Sequence, residues 1–232
     1  MPDALLTQLV AFTTGALLLT AVLQTWRRSL PASVRLLVLQ GLALAGLVAT
    51  LGAREGHAEV LVMAAVLAGV KGVALPWALL RTARTTGETG EEPGDNHPVL
   101  GALAAAGLTM LAYAVSQPVV AAVRGLRAGA GEPTPWDEAA ALAVPVGMAL
   151  VLIGLAILLL RRTALSQLVG FLVLDNGIST IAVLTSGGLP LTVELGVLLD
   201  VLLVILILRV LAVRMRTETG ATALDGLREL RD

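Results

Sequence analysis

Three ionisable residues stand deep inside long apolar runs of this sequence. Lys71, Asp175 and Asp200 each lie roughly ten to twelve residues from the ends of their runs. Glu194 is shallower, about one turn into its run. A charged side chain at the centre of a bilayer costs about 2.5–3.5 kcal/mol on insertion scales, so such residues mark sites by default. In low dielectric a carboxylate's pKa rises and an ammonium's falls, unless partners offset the desolvation. Lys71, Asp175 and Asp200 at similar depth read as a lateral row that passes a proton, or responds to a charge arriving beside it. Asn176, Ser179 and Thr180 could order the intervening water, with Ser179 on the Asp175 face at i, i+4. The plain alternative is that Lys71 pairs with Asp175 or Asp200 only to hold helices together. Two acids against one base leave a surplus titratable group, which favours proton handling. Glu194 reads equally well as a solvated interfacial side chain.

The elements that must position these residues follow from composition. The chain is 56% hydrophobic and only 14% charged, far from the balance of a soluble domain. Its polar residues cluster between apolar runs of about 20 residues, the length that crosses about 30 Å of hydrocarbon as a helix. Barrel strands would be about half as long and would alternate in polarity. The expected fold is therefore all-α: a polytopic transmembrane bundle of about seven helices, near 4–26, 32–53, 58–80, 98–121, 137–160, 164–187 and 190–212. These form a single domain over 1–212, followed by a cytoplasmic tail over 213–232. Met1 to Ala4 lack a basic start, and the first run ends in Trp26-Arg27-Arg28, so it reads as a retained helix.

Arginines set the orientation. Arg27, Arg28 and Arg35, then Arg81 and Arg84, then Arg161 and Arg162, and finally the tail from Arg209 to Arg216, fall on one side of an alternating bundle. Lys/Arg excess marks the cytoplasmic side, which places the N-terminus outside and the C-terminus inside. Trp26, Trp77 and Trp136 lie near predicted helix ends and read as headgroup anchors. In the third run Ala64, Ala68 and Gly72 make a stripe of small residues. Pro76 cannot donate to the carbonyl of Gly72, so the backbone just after Lys71 should be kinked or locally open. Pro118 and Pro145 should kink the fourth and fifth runs.

Several kinds of chemistry find no residues here. The sequence has no cysteine, which removes disulfides, thiolate metal sites and iron–sulfur ligation. His57 and His97 fall on opposite sides of the expected membrane and cannot share a metal. No Gly-rich phosphate loop and no Ser/His/Asp grouping is present. No catalytic residue, cofactor or metal is therefore expected. A net charge of −1 gives no electrostatic footprint for nucleic acid, and the lipid bilayer is the partner that composition calls for.

The stretch VLAGVKGVALPWALLRTAR, with Lys71 and Pro76, resembles the lysine-bearing third helix of the hydrogenase-4 component E family. The stretches SQLVGFLVLDNGIS and VELGVLLDVLLVILILRVLAVRM are similar to that family's last two helices. Its acidic-Asn-Gly motif stands here as Asp175-Asn176-Gly177, and its Val-Glu-Ile-Gly then Asp pattern as Val193-Glu194-Leu195-Gly196 and Asp200. The ending LDGLRELR also looks like the cytoplasmic ending of these proteins and of the K-type subunit of respiratory complex I. The resemblance spans about 59–84 and 161–230; one departure is Asp175, where the family usually carries Glu.

The resemblance implies an accessory, non-catalytic membrane subunit of a complex-I-related assembly, of the formate hydrogenlyase or group 4 hydrogenase type. It would sit in a bacterial or archaeal plasma membrane. Its partners would be antiporter-like membrane subunits and a hydrogenase or dehydrogenase peripheral arm. Lys71, Asp175, Asp200 and Glu194, supported by Asn176 and Ser179, would relay protons or sodium ions coupled to electron transfer. The competing readings are a purely structural adaptor of such a complex, a subunit of an antiporter-type complex without hydrogenase, and an independent small-molecule or cation transporter.

Overall fold

Leu-, Ala- and Val-rich runs fold as helices because every backbone donor then finds an acceptor within its own segment, which hydrocarbon demands. A computed structural model describes residues 3–27, 29–86, 98–128 and 134–185, together with Gly196 and Leu202. The elements are α1 (Asp3–Trp26), α2 (Leu30–Glu55), α3 (Ala58–Gly69), a π turn (Val70–Ala74), α4 (Leu75–Thr86), α5 (Pro98–Val115), α6 (Gln117–Ala128), α7 (Pro135–Leu160) and α8 (Ala164–Thr185). No strand occurs among the described residues. The all-helical class is as the sequence predicts. Five helices among those residues are long and apolar enough to cross a membrane, or six if the bent pair α5–α6 is one span. The expected helix at 190–212 and the tail after it lie outside the described residues, apart from Gly196 and Leu202, which are helical.

Local chemistry explains where the elements begin and end. Gly56 closes α2 in the left-handed conformation at φ 71°, which a side chain would oppose. Thr134 and Asp137 form a reciprocal capping box at the start of α7, with Pro135 at the first helical position. Pro145 is accommodated within α7, which continues as one helix to Leu160. The fourth run differs from the single kinked helix expected over 98–121. It breaks at Ser116 into α5 and α6, which meet at 44°. Pro118 has no N–H to donate to the carbonyl of Ala114, and one residue earlier the carbonyl of Tyr113 accepts from Ser116 Oγ at 3.3 Å and Gln117 Nε2 at 2.9 Å. The side chains thus stabilise the bend that the proline imposes.

Two helices organise the bundle. α2 packs against α1, α3, the π turn, α4 and α8, while α7 packs against α1, α5, α6 and α8. The α7–α8 pair is held backbone to backbone by four glycines spaced by seven residues on each helix. A Cβ on Gly154 would lie 2.7 Å from Leu174 Cα, and one on Gly177 would lie 2.7 Å from Gly147 O. A Cβ on Gly170 would meet Gly154 O at 3.0 Å, so each glycine faces the opposite helix. Such small residues let two membrane helices approach closely enough for dispersion to hold them, where no hydrophobic gain is available.

Polar contacts clamp the two ends of α7. At its start, Arg54 from the end of α2 lies 5.3 Å over the Trp136 ring, 3.9 Å from Asp137 and 3.4 Å from Thr134 Oγ1. Trp136 is therefore buried, at 3% exposure, and is not the headgroup anchor expected. Trp26 and Trp77 are exposed, and Arg81 stacks over the Trp77 ring. At the other end of α7, Arg161 donates to the carbonyl of Arg27 beyond α1. α1 and α7 therefore run the same way, with α2 opposed to them. Outward-facing Phe12, Leu19, Leu103, Met110 and Leu159 give the bundle an apolar exterior. The substitution Gly154→Ala should lower stability by about 1–3 kcal/mol through overpacking against Leu174, as read by thermal unfolding of the purified chain in detergent. An unchanged midpoint would show that α7 and α8 separate freely.

Candidate functional site

Lys71 sits in the second position of the π turn, and Pro76 explains why that turn is there. A regular helix would aim the Pro76 ring at the carbonyl of Gly72 and leave that carbonyl without its donor. The backbone widens instead, and the N–H of Leu75 bonds back five residues to the carbonyl of Val70. The local opening expected after Lys71 thus takes the form of a π turn that carries the lysine itself. The turn rests on Gly41 of α2. A Cβ at that position would stand 2.7 Å from Lys71 Cβ and 3.0 Å from its backbone C and O. Only glycine leaves room for the lysine backbone so close to α2.

The lysine, 4% exposed, points into the bundle. Its Nζ forms an ion pair with the carboxylate of Asp175 on α8, which is equally buried. It also donates to Asn176 Oδ1 at 2.7 Å. Asn176 in turn donates through Nδ2 to Gln40 Oε1 at 3.0 Å, and Gln40 is completely enclosed in α2. Thr180 donates to the Asn176 carbonyl at 2.7 Å, one turn along α8. Asn176 therefore has its orientation fixed on both sides: its oxygen faces an ammonium and its nitrogen faces an amide oxygen. The result is one hydrogen-bonded file, Asp175–Lys71–Asn176–Gln40, that crosses from α8 through the π turn to α2. A small cavity, ≈ 10 Å³, adjoins it and is lined by Leu37, Lys71, Pro76, Leu172 and Asn176 among others. That is about the space one water needs.

Of the residues singled out from the sequence, the structure brings together Lys71, Asp175 and Asn176. Ser179 is half-buried and stands outside this hydrogen-bonded set. Asp200 and Glu194 lie outside the described residues. Gln40 is the participant that a search for charges overlooks. Its signal was an amide well inside the second apolar run, followed at once by the glycine on which the lysine rests. Among the described residues no group of His, Asp and Glu side chains could hold a metal ion.

A buried ion pair is costly to assemble and costlier to break. Removing one partner leaves an uncompensated charge and typically costs about 3–5 kcal/mol, whereas replacing both by apolar residues is often neutral. Lys71→Met and Asp175→Leu should each destabilise the purified chain by that order, and the double variant should recover most of the loss. Chemical unfolding of the four proteins measures the coupling; losses that simply add would mean the pair is not a unit. Gly41→Ala, which drives a methyl against Lys71 Cβ, should cost about 1–3 kcal/mol in the same assay.

No family model matches the chain, and no solved structure matches it. It is 39% identical over 236 residues to a protein of Mycobacterium tuberculosis (strain ATCC 25618 / H37Rv) described as "Uncharacterized protein Rv0085", and the similarity covers 100% of both chains. With that identity along the full length of both, the chain belongs to the family of Rv0085.

Proposed function

We propose that this chain is an ion-translocation subunit of a larger membrane assembly, in which the buried Lys71–Asp175 pair handles protons or senses charge. The observation that carries the reading is the pair itself, enclosed among helices long and apolar enough to cross a bilayer. Such a pair is poorly explained by stability, because apolar residues of similar volume would serve a bundle as well. The adjoining π turn supports the reading, since π turns within helices often occur at functional sites. The resemblance of the Lys71 and Asp175-Asn176-Gly177 segments to hydrogenase-4 component E names the assembly: a complex-I-related one, with antiporter-like subunits and a hydrogenase or dehydrogenase arm. Seven spans, an outside N-terminus, a cytoplasmic C-terminus and a bacterial or archaeal plasma membrane complete the proposal. Asp200, as the surplus acid, and Glu194 extend the relay in it.

A second reading has an observation of its own. Lys71 is engaged by both Asp175 and Asn176, and the contacts join the π turn, α8 and α2. A structural adaptor that only holds larger subunits together would need no more than this clasp. Alanine at Lys71 or Asp175 in the intact complex separates the two readings. Proton handling expects a severe loss of translocation with subunits still co-purifying; the adaptor expects loss of assembly. Translocation and assembly both unchanged would remove both. The proteins that co-purify with the wild-type chain in mild detergent test the assembly proposed, and a chain isolated alone in active form would point to an independent transporter instead.

A further inference from the structure

The polar file does not end at Gln40. Gln40 Nε2 reaches the carbonyl of Leu17 on α1 at 3.4 Å. Thr20 Oγ1 lies 2.9 Å from that same carbonyl and 2.8 Å from the carbonyl of Ala16, so its one proton is engaged there and its lone pairs are left to accept. One turn further along α1 comes Gln24, 2% exposed, whose Nε2 donates to the carbonyl of Ser33 on α2 at 2.9 Å. Its other amide atom, Oε1, is buried with no hydrogen-bond partner, alone in this among the buried side-chain polar atoms of the described residues. Leu17, Thr20 and Gln24 share one face of α1. The stretch from Leu17 to Gln24 rises about 10 Å, roughly a third of the hydrocarbon thickness.

A buried amide oxygen left without a donor costs about 1–3 kcal/mol. No lipid tail can supply that donor, and among the described residues no donor reaches Gln24 Oε1. Water is the smallest donor at hand, and it also accepts and donates onward to a neighbour such as the Thr20 hydroxyl. We propose that the α1–α2 interface holds internal water at Gln24 Oε1, and that Gln24, Thr20 and Gln40 form a hydrated branch. The branch links the Lys71–Asp175 pair to the end of the bundle where α1 meets α2. It lies on helices distinct from those that carry the pair. The branch rests on the proton-handling reading for what the water is for, and on the geometry for its presence.

The water is tested on the unaltered full chain in lipid bilayers, uniformly labelled with ¹⁵N, by magic-angle-spinning NMR with polarisation transferred from water. The side-chain amide of Gln24, identified by its loss in Gln24→Leu, should receive signal as quickly as that of the exposed Gln167. Transfer as slow as to the backbone amides of buried Leu44 and Leu47 would overturn the proposal. The path is tested in the intact complex, where Gln24→Leu should slow proton translocation without dispersing the subunits. Rapid transfer to Gln24 with translocation unslowed in Gln24→Leu would overturn the branch as a route. Loss of translocation in the Lys71 and Asp175 variants alone would still leave the proposed function standing, so the two readings fail separately.

Discussion

A charge in the interior of an apolar bundle must be compensated there, and most of the described structure can be traced to that constraint acting on Lys71. The ammonium takes a carboxylate from α8 and an amide oxygen from the next residue on the same helix. That amide then needs an acceptor for its own N–H groups, and Gln40 supplies one from α2. Each polar group admitted to the interior thus calls in another, because an unmatched one costs more than a matched pair. The chain of compensation stops at a backbone carbonyl of α1, that of Leu17.

The backbone serves the same constraint. Pro76 forces the helix open beside the lysine, and the π turn moves Lys71 onto the surface of α2 rather than along a regular helical stripe. Gly41 is the complement on α2, directly following Gln40, so that two adjacent residues hold the site from below by shape and by hydrogen bond. On the far side, α8 carries Asp175 and Asn176, and Gly177 next to them lets α8 lie against the backbone of α7. Position and charge are therefore specified by neighbouring residues in three short segments: Gln40-Gly41, Val70–Ala74 and Asp175-Asn176-Gly177. The clamps at the ends of α7 keep the whole set in register without touching it.

Much of this was legible in the sequence, and the reasons for the exceptions are physical. Among the described residues, most helix positions followed from runs of apolar residues because hydrocarbon leaves the backbone so few options. Lys71 and Asp175 were visible as charges at one depth, and depth is readable from residue number alone. Gln40 was not, since an uncharged amide is a weaker signal and its importance arises only when Asn176 faces it. The break at Ser116 went beyond a proline kink, because whether Pro118 bends or divides a helix depends on side chains that can bond carbonyls at the break, as Ser116 and Gln117 do at Tyr113. Trp136 is buried rather than interfacial for a related reason. Its place near a helix end suggested headgroups, yet Arg54 from a segment 82 positions earlier covers its ring and draws it inside. The α7–α8 glycines show a heptad spacing in the sequence, but that pattern reveals a contact only when both helices are known to be neighbours.

Asp175 stands where the family that the sequence resembles usually has Glu, and the π turn bears on that difference. A carboxylate shortened by one methylene reaches the same ammonium only if the backbones on either side draw closer. Two close approaches instead fix the backbones that carry the pair: Gly41 admits the Lys71 backbone onto α2, and the glycines of α7 and α8 hold α8 against α7. The direct Lys71–Asp175 contact needs no bridging water. Water serving the proposed relay would then lie beside the pair rather than between its members, and the small cavity beside Pro76 adjoins it there. In the proposed relay, water beside the pair would let it exchange a proton without first separating its charges across hydrocarbon. The same direct contact is all that a structural clasp requires, so access of water to the pair is what separates the two proposed readings.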